Sequence, residues 1–382
     1  MNNRTKDTEK AAVRQDTIHR VIMLGTDHTV MKGGIGAAVP GYLAALENAE
    51  LLHEFVPTYR AGSITGKLIP AVKAVGRLKY SILSLREQGF KPVVYGHAGA
   101  WRSMLRESLV LRCARRLGAK TMLQLHAPTV DNYLNSRIGV HFMKMVCSAA
   151  DITCVLTPWW ETRLHESGVS VDVKVIPNPL PPTIESIARA RAAGSSAVST
   201  TLDRSPQADT CVLVMARLVR GKGVMEVLKA FHRLAPHFKC KVAGDGPERG
   251  RLERYVRKCH LSDRVEFVGW VSGSTKEALW EWADIFCLPS SLDSFGMVFV
   301  EAMAHGLPVV AKHTAAVAEV VANGESGMLV NGDDPEMLAA ALQRFASAKL
   351  REESGAAGIR HVLRVFSKEA VGARLKKIIM PL

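Results

Sequence analysis

A chain of 382 residues, 47% of them hydrophobic, with a formal net charge of +14, is long enough for about two domains and too apolar to be disordered as a whole. It contains no apolar run of about 18 residues, so no membrane-spanning helix is expected. Both halves share the basic excess, which suits nucleic acid, anionic lipid or a polyanionic substrate rather than a basic tail.

Residues 1–18 are polar and mixed in charge, lack the apolar segment of a secretory signal, and are expected to be a flexible leader. An N-terminal domain is expected over 19–185. In it, apolar runs at 21–25, 92–96, 121–125, 152–156 and 173–177 read as buried strands, with a glycine-rich loop and a helix over about 37–49 after the first. Residues 186–209 are rich in Ala, Arg, Gly and Ser and read as a linker. The rhythm restarts in a second domain over 210–365, with strands expected at 211–215, 240–243, 265–268, 285–288, 308–311 and 328–330. Residues 366–382 read as an amphipathic basic helix that packs back on the N-terminal domain. The fold class is therefore α/β: two Rossmann-like β/α/β domains facing each other across a cleft, with ligands at the carboxyl ends of the strands.

Several residues near those strand ends could carry chemistry. Gly33 and Gly34 open the first helix and would let backbone approach a phosphate or a sugar, although GxGxxG is not matched and a plain tight turn explains them equally well. His97 and His126 follow two neighbouring strands; each suits a sugar hydroxyl or a developing charge, or else a satisfied place in the core. Trp101 and Arg102 lead a helix that also carries Arg106, Arg112, Arg115 and Arg116 against one acid, Glu107. That face is either simply solvated or a surface for anionic lipid, together with Lys67, Lys73, Arg77 and Lys79 on the preceding segment.

The second domain is more informative. Arg217 and Lys222 follow its first strand and would neutralise a diphosphate, a solvated basic loop being the other reading. Gly244 opens the turn Gly244-Asp245-Gly246-Pro247 after the next strand. Asp293 and Glu301 are eight positions apart across a turn, and the residues Phe295, Gly296, Met297 and Val298 between them read as a helix start. Carboxylates suit sugar hydroxyls, and the unpaired N–H groups of a helix start suit a diphosphate. A nucleotide-sugar carries both. The seven cysteines form no CxxC pair and are expected to be reduced core thiols. No Asp-x-Asp pair at a strand end and no His/Cys spacing suggests a metal, so none is expected.

In this order and spacing, Arg217 with Lys222-Gly223, Gly244 to Pro247, Val268-Gly269-Trp270, the block Leu288 to Val310, and Gly324 to Val330 resemble the retaining glycosyltransferases of family 4, of GT-B architecture. The resemblance covers roughly residues 20–380. It implies that Glu301 holds the ribose of a nucleoside diphosphate sugar, that Arg217 and Lys222 grip the diphosphate with backbone N–H groups of Phe295 to Val298, and that Gly244 lies near the nucleotide. It further implies that Asp293 holds the transferred sugar, that His126 lines the sugar site, and that Gly33 and Gly34 form a phosphate-side loop. The family usually has Glu where this chain has Asp293, and often Pro where it has Ala318. The N-terminal half, through His97, Trp101-Arg102 and Gln124-Leu125-His126, resembles members that build bacterial cell-surface polysaccharide, often on a lipid pyrophosphate carrier. With no metal expected, the resemblance implies a metal-independent hexosyltransferase with no cofactor and a sugar acceptor on a lipid carrier, and the basic helix after Trp101 suggests a cytoplasmic protein docked on the cytoplasmic face of the inner membrane. The alternatives are a nucleotide-sugar epimerase or isomerase of the same fold, or a basic nucleic-acid-binding protein with a vestigial sugar site. No nucleic acid is expected, because no recognition-helix or aromatic-strand signature is present.

Overall fold

The computed structural model describes residues 19–27, 29, 35–60, 64–194, 209–330 and 334–382. They divide into two compact units, Met1–Pro181 with Lys368–Leu382, and Pro182–Ser367. The expected leader therefore lies outside the described residues, as do Gly33, Gly34 and residues 195–208 of the expected linker.

Unit 1 runs β1 (His19–Thr26), α1 (Ile35–Asn48), β2 (Leu52–Tyr59), α2 (Ile64–Glu87), β3 (Lys91–Ala98), α3 (Trp101–Arg116), β4 (Lys120–Leu125), α4 (Val130–Leu134), α5 (Arg137–Cys147), β5 (Ile152–Val155), α6 (Pro158–Glu166) and β6 (Val173–Val175). The six strands form one parallel sheet in the order β2-β1-β3-β4-β5-β6. Helices cover both faces of such a sheet, which is why its inner strands are apolar in both side-chain directions. Residues 21–24 are wholly buried for that reason. β2 escapes a reading by pattern. It is an edge strand, half-exposed along most of its length, with Pro57 in it.

Unit 2 begins with α7 (Pro182–Ala192), so the unit boundary falls inside the expected first domain, and residues 186–192 of the expected linker are helical. It continues β7 (Thr210–Met215), α8 (Val224–Phe231), β8 (Phe238–Ala243), α9 (Arg249–Lys258), β9 (Val265–Gly269), α10 (Ser274–Trp282), β10 (Ile285–Leu288), α11 (Met297–Ala304), β11 (Val309–Lys312), α12 (Val317–Val320), β12 (Gly327–Val330), α13 (Pro335–Arg344) and α14 (Ala348–Phe366). Its parallel sheet has the order β12-β11-β10-β7-β8-β9. The chain builds β7, β8 and β9 outward in one direction, then returns to place β10 on the other side of β7. The loops after β7 and β10 therefore leave the sheet side by side and diverge, which is where parallel α/β sheets open a crevice.

The last helix, α15 (Lys368–Ile379), belongs to unit 1. Its Val371, Leu375 and Ile379 join a buried cluster with Val39, Tyr42 and Leu46 of α1.

Candidate functional site

The switch point of unit 2 brings together the loops that carry Arg217, Lys222 and Asp293. Gly223 has φ +76°, and a Cβ built on it would stand 2.4 Å from the carbonyl oxygen of Pro289. Only glycine allows the first loop to seat so closely on the second. The amide of Ser291 donates to the Gly221 carbonyl at 2.8 Å across the same junction. Held this way, Lys222 Nζ lies 2.7 Å from Asp293 Oδ1, each side chain 17% exposed. Oδ2 of Asp293 is buried and has no partner among the described residues. Gly244 packs from the other side. Its φ is +132°, and a Cβ there would stand 1.9 Å from the Ala216 carbonyl oxygen, so its backbone abuts the root of the Arg217 loop. Arg217 itself is exposed.

Gly296 precedes α11, and Phe295 beside it is buried, its ring 5.3 Å from that of Phe366. This anchor sets where α11 starts. The first-turn amides, those of Met297 and Val298, have no carbonyl one turn back to bond. Glu301 lies one turn further along and is 8% exposed. Its Oε2 accepts a hydrogen bond from Lys276 Nζ of α10 at 2.5 Å. Lys276 is a site residue that sequence reading missed, because a lysine in the first turn of a helix carries no motif of its own. Two carboxylates, each paired with a lysine, thus lie on the segment from the β10 loop into α11. Such pairs can exchange partners with a ligand that offers hydroxyls to the carboxylates and an anion to the cations.

In unit 1, His97 and His126 meet each other. Nδ1 of His97 lies 2.9 Å from Nε2 of His126, so one ring donates and the other accepts. The Tyr42 ring stands edge-on to His97 at 4.5 Å. Burial holds the His126 imidazole down at about 3, against a partial opposing effect of Asn178. Burial, then the neighbouring His126, holds His97 well below the usual histidine range. Both rings are therefore neutral. His97 has no exposed surface and His126 only 6%. The expectation that His97 faces an acceptor is corrected to a core position, and His126 shows a ligand at most an edge.

The cationic face expected on α3 is also partly internal. Glu107 is wholly buried, accepts from Thr58 Oγ1 at 2.5 Å and pairs with Arg106 at 3.0 Å. Burial raises its carboxyl group, with Arg106 opposing. Arg112 and Arg115 donate to the carbonyls of Met145 and Ser148 at the end of α5, a favourable place for cations at a helix C-terminus. Arg102 remains exposed, its guanidinium 5.1 Å from the Trp101 ring centroid.

Among the described residues no group of three or more His, Cys, Asp or Glu side chains could hold a metal, and no helix is long and apolar enough to cross a membrane. No disulfide joins the seven cysteines, and five of them are buried.

A family model described as "Glycosyl transferases group 1" matches residues 203–361. The chain is 30% identical over 267 residues to the lipopolysaccharide core biosynthesis glycosyltransferase LpsD of Rhizobium meliloti, a match that covers 68% of this chain and 71% of that protein. It is 30% identical over 138 residues to an uncharacterized glycosyltransferase of Methanocaldococcus jannaschii, spanning 36% of this chain and only 35% of that protein. Among solved structures, sucrose-phosphate synthase from Thermosynechococcus elongatus superposes with a TM-score of 0.69 at 21% identity, over 94% of this chain and 98% of that one. Anabaena HepE in complex with UDP-glucose gives 0.69 at 16% identity, over 95% and 100%. At these identities the likeness is one of fold: two parallel β/α/β units in one chain, the GT-B class.

Proposed function

We propose that this chain, which belongs to the group 1 glycosyl transferase family, moves a hexose from a nucleoside diphosphate sugar to a sugar acceptor, with retention at the anomeric carbon and without a metal ion or other cofactor. The observation that carries this reading is the arrangement at the unit 2 switch point, where Asp293 and Glu301 are held by Lys222 and Lys276 beside the exposed Arg217 and the start of α11. Arg217, Lys222 and the amides of residues 295–298 take the diphosphate, Glu301 the ribose hydroxyls and Asp293 the hydroxyls of the transferred sugar. Gly244 supplies close backbone beside them.

The chemistry then rests on charge. As the anomeric carbon–oxygen bond breaks, negative charge builds on the departing diphosphate, and cations fixed in place stabilise it without reorganising. Front-face attack lets the leaving phosphate oxygen accept the acceptor's proton, so the protein need not supply a general base. A double displacement would instead require a carboxylate beneath the anomeric carbon. Asp293 is assigned to hydroxyl binding, and its pairing with Lys222 favours that role over nucleophilic attack.

The bound UDP-glucose of HepE supports a nucleotide-sugar donor, and the name of LpsD supports cell-surface polysaccharide assembly as the setting. The reading places the protein in the cytoplasm, on the inner face of the membrane, with an acceptor carried on a lipid pyrophosphate. Unit 1 supports that location: exposed apolar residues such as Val72, Tyr80 and Leu109 lie among Lys73, Lys79 and Arg102 on α2 and α3, a mixture suited to an anionic lipid surface. Flotation with anionic vesicles tests the location alone; failure to co-float removes it and leaves the transfer reaction intact. The reaction is tested by a thermal-shift screen over nucleotide-sugars, in which a matched donor raises the melting temperature by mass action, followed by assay of Glu301→Ala. Donor binding by the variant equal to that of the parent overturns the site assignment.

A further inference from the structure

Two consecutive residues of α10 act on one residue of α11. Lys276 Nζ donates to Oε2 of Glu301 at 2.5 Å. Its neighbour Glu277 lies with Oε2 3.0 Å from Nε2 of His305, and Nδ1 of that same ring donates to the main-chain carbonyl of Glu301 at 2.8 Å. His305 is 1% exposed and stacked on Trp280 of α10, with centroids 5.2 Å apart and planes 19° from parallel. Glu301 is thus held twice from α10, at its carboxylate directly and at its backbone through His305.

An ion pair on an open surface contributes little. This one is largely enclosed, with side-chain exposures of 27% for Lys276 and 10% for Glu301. A glutamate has several rotatable bonds, and a ligand that must order it loses affinity to the lost freedom. Here Lys276 already engages the carboxylate without a ligand. The lysine takes Oε2, and a carboxylate has a second oxygen with its own lone pairs. That oxygen remains to accept hydroxyl protons.

We propose that Lys276 is a positioning residue for nucleotide recognition: it fixes Glu301 in the orientation that accepts the ribose hydroxyls, and so makes the site select ribonucleotides over deoxyribonucleotides. The proposal rests on the reading of Glu301 as the ribose-binding carboxylate. Glu277 and His305 complete the device by holding the turn of α11 from which Glu301 projects.

The test is calorimetric titration of UDP, GDP and ADP into the full chain, then of the 2′-deoxy and 3′-deoxy forms of whichever binds, for the parent and for Lys276→Met, Lys276→Arg and Glu301→Ala. Donor kcat and KM are measured alongside, and melting temperatures report folding. The parent should bind the ribo form about 10- to 100-fold more tightly than the deoxy forms, the value of a hydrogen bond to a charged group. Lys276→Met should lose about tenfold in ribo affinity, a loss within the same range, lose clearly less with the deoxy forms, which keep only one of the two hydroxyls, and raise KM while leaving kcat nearly intact. Lys276→Arg should restore most of the loss, and it serves as the measure if the methionine variant fails to fold. Equal losses of ribo and deoxy affinity in Lys276→Met, or no loss, overturn the proposal. If Glu301→Ala weakens binding and Lys276→Met does not, only the positioning role falls. Should Glu301→Ala bind as the parent does, or none of the three nucleotides bind the parent, the underlying assignment falls with it.

Discussion

Lys222 and Asp293 are 71 positions apart in the chain, and their charged atoms lie 2.7 Å apart. The second oxygen of Asp293 is buried with no partner among the described residues, so the lysine alone compensates that carboxylate. Removing either residue leaves the other charged in a largely enclosed place, and the two losses should not add. Lys222→Ala and Asp293→Ala are each expected to lower kcat/KM for the donor by about two orders of magnitude. The double variant should fall close to the worse single one, as it does for residues that act as a unit. A double variant that loses the product of the two single factors shows that the pair acts as two independent groups.

Arg217 allows a cleaner separation of chemistry from stability. Its side chain is exposed, and no ion pair to it is found among the described residues. Surface substitutions of this kind usually change stability by no more than about 0.5 kcal/mol. Arg217→Ala should therefore melt with the parent while turnover falls by a factor on the order of 10² or more, the usual effect of deleting a group aimed at developing charge. Thermal melts and donor turnover on the same preparations decide the matter. Near-parental turnover removes Arg217 from the site.

What could be read from the sequence, and what could not, follows from how local each signal is. Strands such as β1 and β10 announce themselves because both faces are covered and four or more apolar residues run together. β2 does not, since an edge strand with His53 exposed and Pro57 inside it has neither alternation nor an apolar run. The spacing of Asp293 and Glu301 is legible because a single loop and one helix turn connect them. Their pairing with lysines is not, even for Lys222, which stands out as a cation at a strand end. Lys222 reaches Asp293 only because β10 returns beside β7, and Lys276 reaches Glu301 only because α10 and α11 are neighbours. The burial of His97 and Glu107 is hidden for the same reason: the sequence alone leaves a polar residue at a strand end or on a basic helix free to be exposed or internal, and strand order decides by burying it against His126 or Thr58.

Gly223 is the backbone counterpart of the lysine–aspartate pair. An alanine there would take a left-handed φ of +76° and drive its Cβ to 2.4 Å from the Pro289 carbonyl oxygen. The conformational cost alone is about 1–3 kcal/mol, and one of the two loops must also move. Gly223→Ala should lower the melting temperature by about 2–4 °C for each kcal/mol and reduce donor turnover, because Lys222 precedes it directly. Gly250 is the control. It lies in α9, where an added Cβ meets nothing within 4 Å. Gly250→Ala should hold or raise stability by about 0.5–1 kcal/mol from helix propensity. If the two variants melt alike, the close seating of the Gly223 loop on Pro289 is not a feature of the protein in solution.

The histidine pair predicts how unit 1 responds to acid. Burial holds His126 at about 3 and His97 well below the ordinary range, while in the unfolded chain each protonates near 6.5. Above that pH both states are neutral at these rings, and the native contact contributes in full. Below it the unfolded chain binds protons that the folded unit refuses, so stability declines as the pH falls from about 6.5 toward about 3. The slope is up to about 1.4 kcal/mol per pH unit for each ring. Carboxylates add their own losses at lower pH, so the informative quantity is the difference between the parent and a His97→Gln, His126→Gln double variant from pH 7 to pH 5. Glutamine keeps a donor and an acceptor for the buried contact but does not titrate in that range. Urea denaturation at each pH should show the parent losing stability over this interval and the variant losing markedly less. Parallel curves mean that the two rings titrate as ordinary exposed histidines, and the buried neutral pair is then wrong.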